Sequence, residues 1–297
     1  MRHSAIRQET RHRIGLVGAG IATSLSPLLH EHEAAALGLR DYRYDLIDLD
    51  RSDTPVERTG EVVRDAIAAG YTGLNVTHPC KQVVLDVLDE LSPGARAIGA
   101  VNTVVVANRT LIGHNTDGSG FLAALRAQLP QAPLNRVLLL GAGGAGSAVA
   151  HALAEAGVAE LVVADADAAR AAQVGARVQV AHSTDVRAVG VDEVAGVLAG
   201  CDGVVNATPI GMTGFAGSPV DAAALHPGLW AADVVYRPIR TEFLAAASAL
   251  GCPVLDGGHM LVAQAADTFA LLTGVQPDRA RMRAHLGDLL SAQRLSA

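Results

Sequence analysis

Apolar residues fall along this chain in two alternating patterns. Short apolar runs bounded by glycine and polar turns read as strands, and longer stretches with apolar positions every third or fourth residue read as helices. The first part predicts strands over 13–17, 42–48 and 73–76, helices over 27–37, 62–69 and 82–88, and a hairpin over 100–107 and 110–113. A helix over 121–129 leads into residues 130–134, where Pro130 and Pro133 mark a connection between domains. A second series then predicts strands over 136–140, 160–164, 203–206, 232–235 and 253–255, a helix over 145–155, and long closing helices over 260–273 and 279–290. Alternation of this kind implies an α/β fold of two domains, with parallel sheets and right-handed crossovers. Residues 1–13 are polar, rich in Arg and His, and lack the apolar stretch of a secretory signal; they read as a frayed leader.

Composition narrows the function classes. Of the 297 residues 50% are hydrophobic but only 3% aromatic, so the cores must be built from Ala, Val and Leu. The net charge of -7, with no run of Lys and Arg, argues against nucleic acid, whose phosphates need a basic footprint. No stretch of about 18 apolar residues predicts a membrane span. Three widely spaced cysteines, Cys80, Cys201 and Cys252, suit a reducing cytoplasm better than a disulfide framework. No His/Cys set has metal-ligand spacing, so no metal is expected.

The strongest local signal is Gly141, Gly143 and Gly146, a Gly-x-Gly-x-x-Gly turn after an apolar strand and before an Ala-rich helix. Gly141 permits the tight turn, Gly143 lets a pyrophosphate approach the backbone, and Gly146 lets helix and strand pack closely. The helix N-terminus offers free N–H groups and a positive dipole end to phosphate. Asp165 ends the next strand, 24 residues beyond Gly141, near the spacing of the acid that binds the adenosine ribose. A carboxylate there repels a 2′-phosphate, which favours NAD over NADP, although Arg170 is close enough in sequence to reach a phosphate. Gly15, Gly18 and Gly20 imitate the same loop without its third glycine and read as a strand-to-loop turn beside the substrate.

Three polar clusters interrupt the first part: Ser24, Ser26 and His30; Asn75 to Lys81; and Asn102 and Thr103 with Asn115 to Gly118. The last two follow predicted strands, where α/β folds place their crevice chemistry. Oxidising a secondary alcohol with NAD removes a hydride from carbon and a proton from oxygen. Without a metal the proton must go to a side chain, and Lys81 with Asp117 is the natural pair. The sequence leaves open which of the two carries it. Plainer roles stand beside these: Ser24 and Ser26 as caps of the helix at Pro27, Lys81 as a solvated helix residue, Asp117 as a turn residue.

Taken together, the motifs resemble the shikimate dehydrogenase family, and within it the NAD-dependent quinate/shikimate branch. They run from Ser24-x-Ser26-Pro27 through Asn75-x-Thr77-x-Pro79-x-Lys81, Asn102-Thr103 and Asn115-Thr116-Asp117-Gly118, then the glycine loop, Asn206-Ala207-Thr208-Pro209-x-Gly211-Met212, Asp233-x-x-Tyr236-x-Pro238 and Met260-Leu261-x-x-Gln264. The resemblance implies interconversion of shikimate and 3-dehydroshikimate, of quinate and 3-dehydroquinate, or both, with Lys81 and Asp117 as the catalytic dyad. Ser24, Ser26 and Tyr236 would hold the substrate carboxylate; Thr77, Asn102 and Gln264 would bind ring hydroxyls. Gly141, Ala142, Gly143, Gly144, Ala145, Gly146 and Asp165 would hold the dinucleotide, with Asn206, Thr208, Pro209, Met212, Val234 and Gly257 around the nicotinamide. The family plan makes residues 1–118 plus 258–297 the substrate domain and 119–257 the Rossmann-type domain, in a monomer or homodimer. Members that use NADP carry Asn-Arg-Thr where this chain has Ala164-Asp165-Ala166. The alternatives are an NADP-preferring biosynthetic shikimate dehydrogenase, a folate-type methylene dehydrogenase, and a dinucleotide sensor without catalysis. The Ser24/Ser26 cluster opposes the folate reading, and the Lys81/Asp117 pair opposes the sensor.

Overall fold

The computed structural model describes residues 11–295, so the expected leader lies, up to residue 10, outside the described residues. Two six-stranded sheets organise the chain. The first part runs β1 (His12–Gly18), α1 (Ser26–Ala36), β2 (Tyr42–Asp48), α2 (Thr59–Ala68), β3 (Gly73–Val76), β4 (Glu90–Leu91), α3 (Pro93–Ile98), β5 (Thr103–Ala107), β6 (Thr110–His114) and α4 (Asp117–Gln128). Its sheet has the order β2-β1-β3-β5-β6-β4. Strands β2, β1 and β3 are parallel, and the β5–β6 hairpin pairs antiparallel to β3. Asn108 and Arg109, both at positive φ, make the hairpin's two-residue turn.

The second part runs β7 (Arg136–Leu140), α5 (Gly144–Ala156), β8 (Glu160–Ala164), α6 (Ala168–Ala181), β9 (Asp185–Val189), α7 (Val194–Leu198), β10 (Gly203–Asn206), β11 (Trp230–Asp233), α8 (Glu242–Ala249) and β12 (Val254–Leu255). This sheet is wholly parallel, in the order β12-β11-β10-β7-β8-β9. The order reverses between β7 and β10, the switch point where such sheets open a crevice at the carboxyl ends of their strands. Both faces are covered, which explains the uninterrupted apolar runs. Val137 and Leu139 point into a core with Leu153 and Trp230, and Leu138 and Leu140 into another with Val162 and Phe243.

Helices α9 (Gly257–Thr273) and α10 (Arg279–Leu295) then return to the first part. From α9, Phe269 joins Ile14, Leu16 and Tyr42 beneath the first sheet, while Leu261 and Val262 pack with Leu25 just before α1, Leu29 of α1 and Met282 and Leu286 of α10. The fully buried Glu33 of α1 receives both Nε and Nη2 of Arg281, at 2.8 and 2.6 Å. A bidentate bond of this kind fixes orientation as well as distance.

Three expectations are corrected. Residues 82–88 form no α-helix but a single 3₁₀ turn, Val83–Val87, ended by the extended Leu88. The run of β-branched residues there resists a longer helix. The strand expected over 232–235 starts two residues earlier, because Trp230 pairs with Gly203. The helix expected from 121 starts at Asp117, capped by Asn115, whose Oδ1 accepts the N–H groups of Asp117 (3.0 Å) and Gly118 (3.3 Å). Among the described residues no helix is long and apolar enough to cross a membrane, and no group of three or more His, Cys, Asp or Glu is placed to hold a metal.

Candidate active site

The glycine turn closes the end of β7 at the switch point. Gly141 sits at φ +97°, and a Cβ there would meet the Ala207 carbonyl at 2.9 Å, so only glycine fits between the loops that follow β7 and β10. A Cβ on Gly146 would collide with the Gly141 carbonyl oxygen, which is the close helix–strand packing expected of the third glycine. Gly143 faces open space, and no side chain caps the N-terminus of α5. The first N–H groups of that helix therefore open onto a groove of about 370 Å³. Its walls include Asp165, Arg170, Thr208 and Pro209. Asp165 directly follows β8 and accepts N–H groups from Ala142 (2.7 Å) and Asp167 (2.8 Å), which fixes its carboxylate at the groove. Arg170, on the same wall, gives its Nε to Asp167 at 3.1 Å.

The groove shares Thr77, Lys81 and Ala145 with a second cavity of about 160 Å³ between the two parts of the chain. At its floor Lys81 Nζ donates to Asp117 Oδ2 at 2.5 Å, with both side chains largely buried. Asp117 opens α4, where the helix's positive end favours a carboxylate. Its Oδ1 accepts Asn102 Nδ2 at 3.1 Å, so one carboxylate oxygen serves the amine and the other the amide.

All six expected substrate contacts line this same cavity with the dyad. Ser24 and Ser26 come from the start of α1, Thr77 from the end of β3, Asn102 from the approach to β5, Tyr236 from beyond β11, and Gln264 from α9. Ser24 Oγ accepts the Ser26 N–H at 3.3 Å, but Leu25 is the N-cap of α1 and no side chain caps it, so the serines line the cavity without the expected capping role. Burial pushes the Tyr236 phenol above its ordinary value, against the opposing effect of the neighbouring Arg237 charge and Ser24 hydroxyl. Gln264 lines the cavity and gives Nε2 to its own helix carbonyl at Leu261 (3.1 Å). Gly120 of α4 lies against the Gln264 backbone, where a Cβ would stand 2.8 Å from its nitrogen.

The remaining cofactor residues divide. Val234 and Gly257 line the cavity, and Gly257 is pressed against the Val234 and Val235 carbonyls, 2.5 Å from where its Cβ would stand. Ala142 and Asn206 are buried beneath the loops. Asn206 shapes its loop from below: Oδ1 accepts the N–H and hydroxyl of Thr208, and Nδ2 donates to Ile210 O and Asp233 Oδ1. Met212 is exposed and lines neither cavity.

Other members of the polar clusters take supporting places. His30 is buried in the cavity wall against the Tyr42 hydroxyl (2.9 Å), and burial lowers its pKa to about 3, so it is neutral. His78 lines the dinucleotide groove beside Lys81; burial first, then the Lys81 charge, lowers its pKa. Asn75 accepts the Tyr44 hydroxyl at 2.6 Å and donates to Asn102 O at 3.0 Å. A polar residue inside an apolar strand was the visible signal for Asn75. Cys80 is fully buried and burial pushes its thiol up, as suits an inert filler.

Known proteins share this arrangement along nearly the whole chain. Residues 16–104 match the shikimate dehydrogenase substrate binding domain, and residues 123–213 match the shikimate / quinate 5-dehydrogenase domain. A shikimate dehydrogenase (NADP(+)) of Streptomyces avermitilis is 51% identical over 278 residues, 93% of this chain and 95% of that protein. A quinate/shikimate dehydrogenase (NAD(+)) of Corynebacterium glutamicum is 46% identical over 273 residues, 91% of this chain and 96% of that protein. The solved quinate dehydrogenase from Corynebacterium glutamicum in complex with NAD superposes with a TM-score of 0.85 at 43% identity, covering 94% of this chain and 99% of that one. With the glycine crevice, the Lys81/Asp117 pair and the two-domain α/β fold in place, the chain belongs to the shikimate dehydrogenase family of pyridine-nucleotide oxidoreductases.

Proposed function

We propose that the protein is an NAD-dependent dehydrogenase that interconverts shikimate with 3-dehydroshikimate, quinate with 3-dehydroquinate, or both. The observation that carries this reading is the 2.5 Å contact of Lys81 with Asp117 in a cavity that opens into the dinucleotide groove. The groove suits a dinucleotide: uncapped N–H groups of α5, open space at Gly143 and a fixed carboxylate at Asp165. When bound, NAD supplies the hydride acceptor. Residues 119–257 hold it, and residues 1–118 with 258–297, joined by Tyr236, hold the acid.

Ser24, Ser26 and Tyr236 present hydroxyl donors to the substrate carboxylate. Thr77 and Gln264 bound the ring hydroxyls. Asn102 lines the cavity beside them with both amide hydrogens given to Thr116 and Asp117. Lys81 lies within reach of the hydroxyl that is oxidised and takes or returns its proton, while Asp117 holds the ammonium in place and balances its charge. The buried walls exclude water from this exchange.

The NAD preference rests on Asp165, whose charge stands where a 2′-phosphate would lie. A second reading, NADP, is favoured by Arg170 on the same wall and by the name of the Streptomyces relative. Steady-state kinetics with both acids and both cofactors tests all of this. Turnover of either acid with a higher kcat/KM for NAD supports the proposal; a higher value for NADP selects the second reading, and no turnover of either acid refutes both.

A further inference from the structure

We infer that Thr268, on the returning helix α9, is a positioning residue for the Lys81/Asp117 pair, because its buried hydroxyl closes a hydrogen-bonded ring that fixes the Asn102 amide with its nitrogen toward Asp117. An asparagine amide has two N–H donors and two acceptor lone pairs. Those of Asn102 are all taken. Oδ1 accepts the Thr116 N–H and the Thr103 hydroxyl, both at 2.9 Å; Nδ2 donates to Thr116 Oγ1 (2.8 Å) and Asp117 Oδ1 (3.1 Å). Thr268 Oγ1 lies 2.9 Å from both Thr103 Oγ1 and Thr116 Oγ1 and is excluded from solvent.

One hydrogen per hydroxyl sets the direction of every bond. Thr103 spends its hydrogen on Asn102 Oδ1, so in the Thr103–Thr268 pair Thr268 donates. With that hydrogen spent, Thr268 accepts from Thr116. Thr116 in turn accepts from Asn102 Nδ2. The ring therefore runs one way, from Asn102 through Thr116, Thr268 and Thr103 back to Asn102, an arrangement in which each bond polarises the next. Turning the amide over would require all four bonds of the ring to reverse together, and it would set a carbonyl oxygen against the Asp117 carboxylate and an N–H against the Thr116 N–H. The Thr116 N–H and the Asp117 carboxylate set the sense of the amide, and Thr268, the single member contributed by α9, closes the ring that resists its turning.

This inference rests on the proposed function for its kinetic consequence and on the ring alone for its structural one. Thr268→Val keeps the side chain's shape and removes the hydroxyl. Turnover is expected to fall about tenfold with the KM for the cyclic acid within about twofold, and Thr268→Ser is expected to restore it. In the substrate-free protein, NMR exchange of the two Asn102 side-chain amide protons is expected to be slow in the parent and in Thr268→Ser, and faster in Thr268→Val. If Thr268→Val does not fold, Thr103→Val opens the same ring from the sheet side and carries the same expectations. Unchanged amide exchange overturns the inference, as does a change in KM alone. A parent that turns over neither acid refutes the proposed function, and the amide exchange still decides the ring.

Discussion

Gly144, the first residue of α5, packs directly on Lys81: a Cβ built on it would stand 2.9 Å from the Lys81 Cβ and 3.2 Å from its Cδ. The dinucleotide turn thus sets the position of the Lys81 amine through contact with the base of its side chain. Gly144→Ala must push Lys81 away from Asp117. Because small misplacements of reacting groups are costly, kcat in steady-state assays should fall about ten- to a hundredfold, and an unchanged kcat would show that this contact does not set the Lys81 position.

Lys81→Ala removes the proposed proton carrier and leaves the helix N-terminus that faces the phosphates. Steady-state assays should show kcat reduced about 10²- to 10⁴-fold, with little change in the Kd for NAD. Near-parental turnover would take Lys81 out of the mechanism.

Asp165→Asn removes a charge but keeps an acceptor for the Ala142 and Asp167 N–H groups. The ratio of kcat/KM for NAD to that for NADP should narrow, by about tenfold for each 1.4 kcal/mol of lost repulsion. An unchanged ratio would assign cofactor choice to another group.

Asp233 predicts a pH dependence of stability. It is buried beneath the 206–212 loop, and burial raises its pKa to about 6 despite bonds from Val235, Thr241 and Asn206. The folded protein therefore holds this proton more tightly than the unfolded chain, whose ordinary value is 3.8. Stability from this group is full below about pH 4 and is lost as pH rises through about 6. Asp233→Asn, which cannot ionise, should be more stable than the parent by up to about 3 kcal/mol at pH 7.5 and gain nothing near pH 4. Urea unfolding at both values measures it; an equal difference at both would sink the idea.

Much of this was legible in the chain. Period and turn chemistry suffice for β7, the glycine turn and α5, because Gly141, Gly143 and Gly146 each meet a local geometric demand. The polar clusters were visible because Asn75, Asn102 and Asp117 interrupt otherwise apolar segments. Strand β9 was not visible: it lies at a sheet edge and is mostly exposed, so it lacks apolar alternation. The turn at Val83–Val87 misled because its valines suit a buried helix face as well as a packed loop. The roles of Asn206 and Thr268 were hidden for another reason. Thr103 and Thr116 stand 165 and 152 positions from Thr268, and only folding makes them neighbours.

The return of α9 and α10 to the first sheet has a consequence for synthesis. As the nascent chain emerges, the parallel sheet of residues 136–255 has every strand it needs before Phe269 exists to cover Ile14 and Leu16. The amino-terminal sheet, though made first, keeps an apolar face bare until the last helices leave the ribosome. The later-made layer is thus the earlier one able to mature.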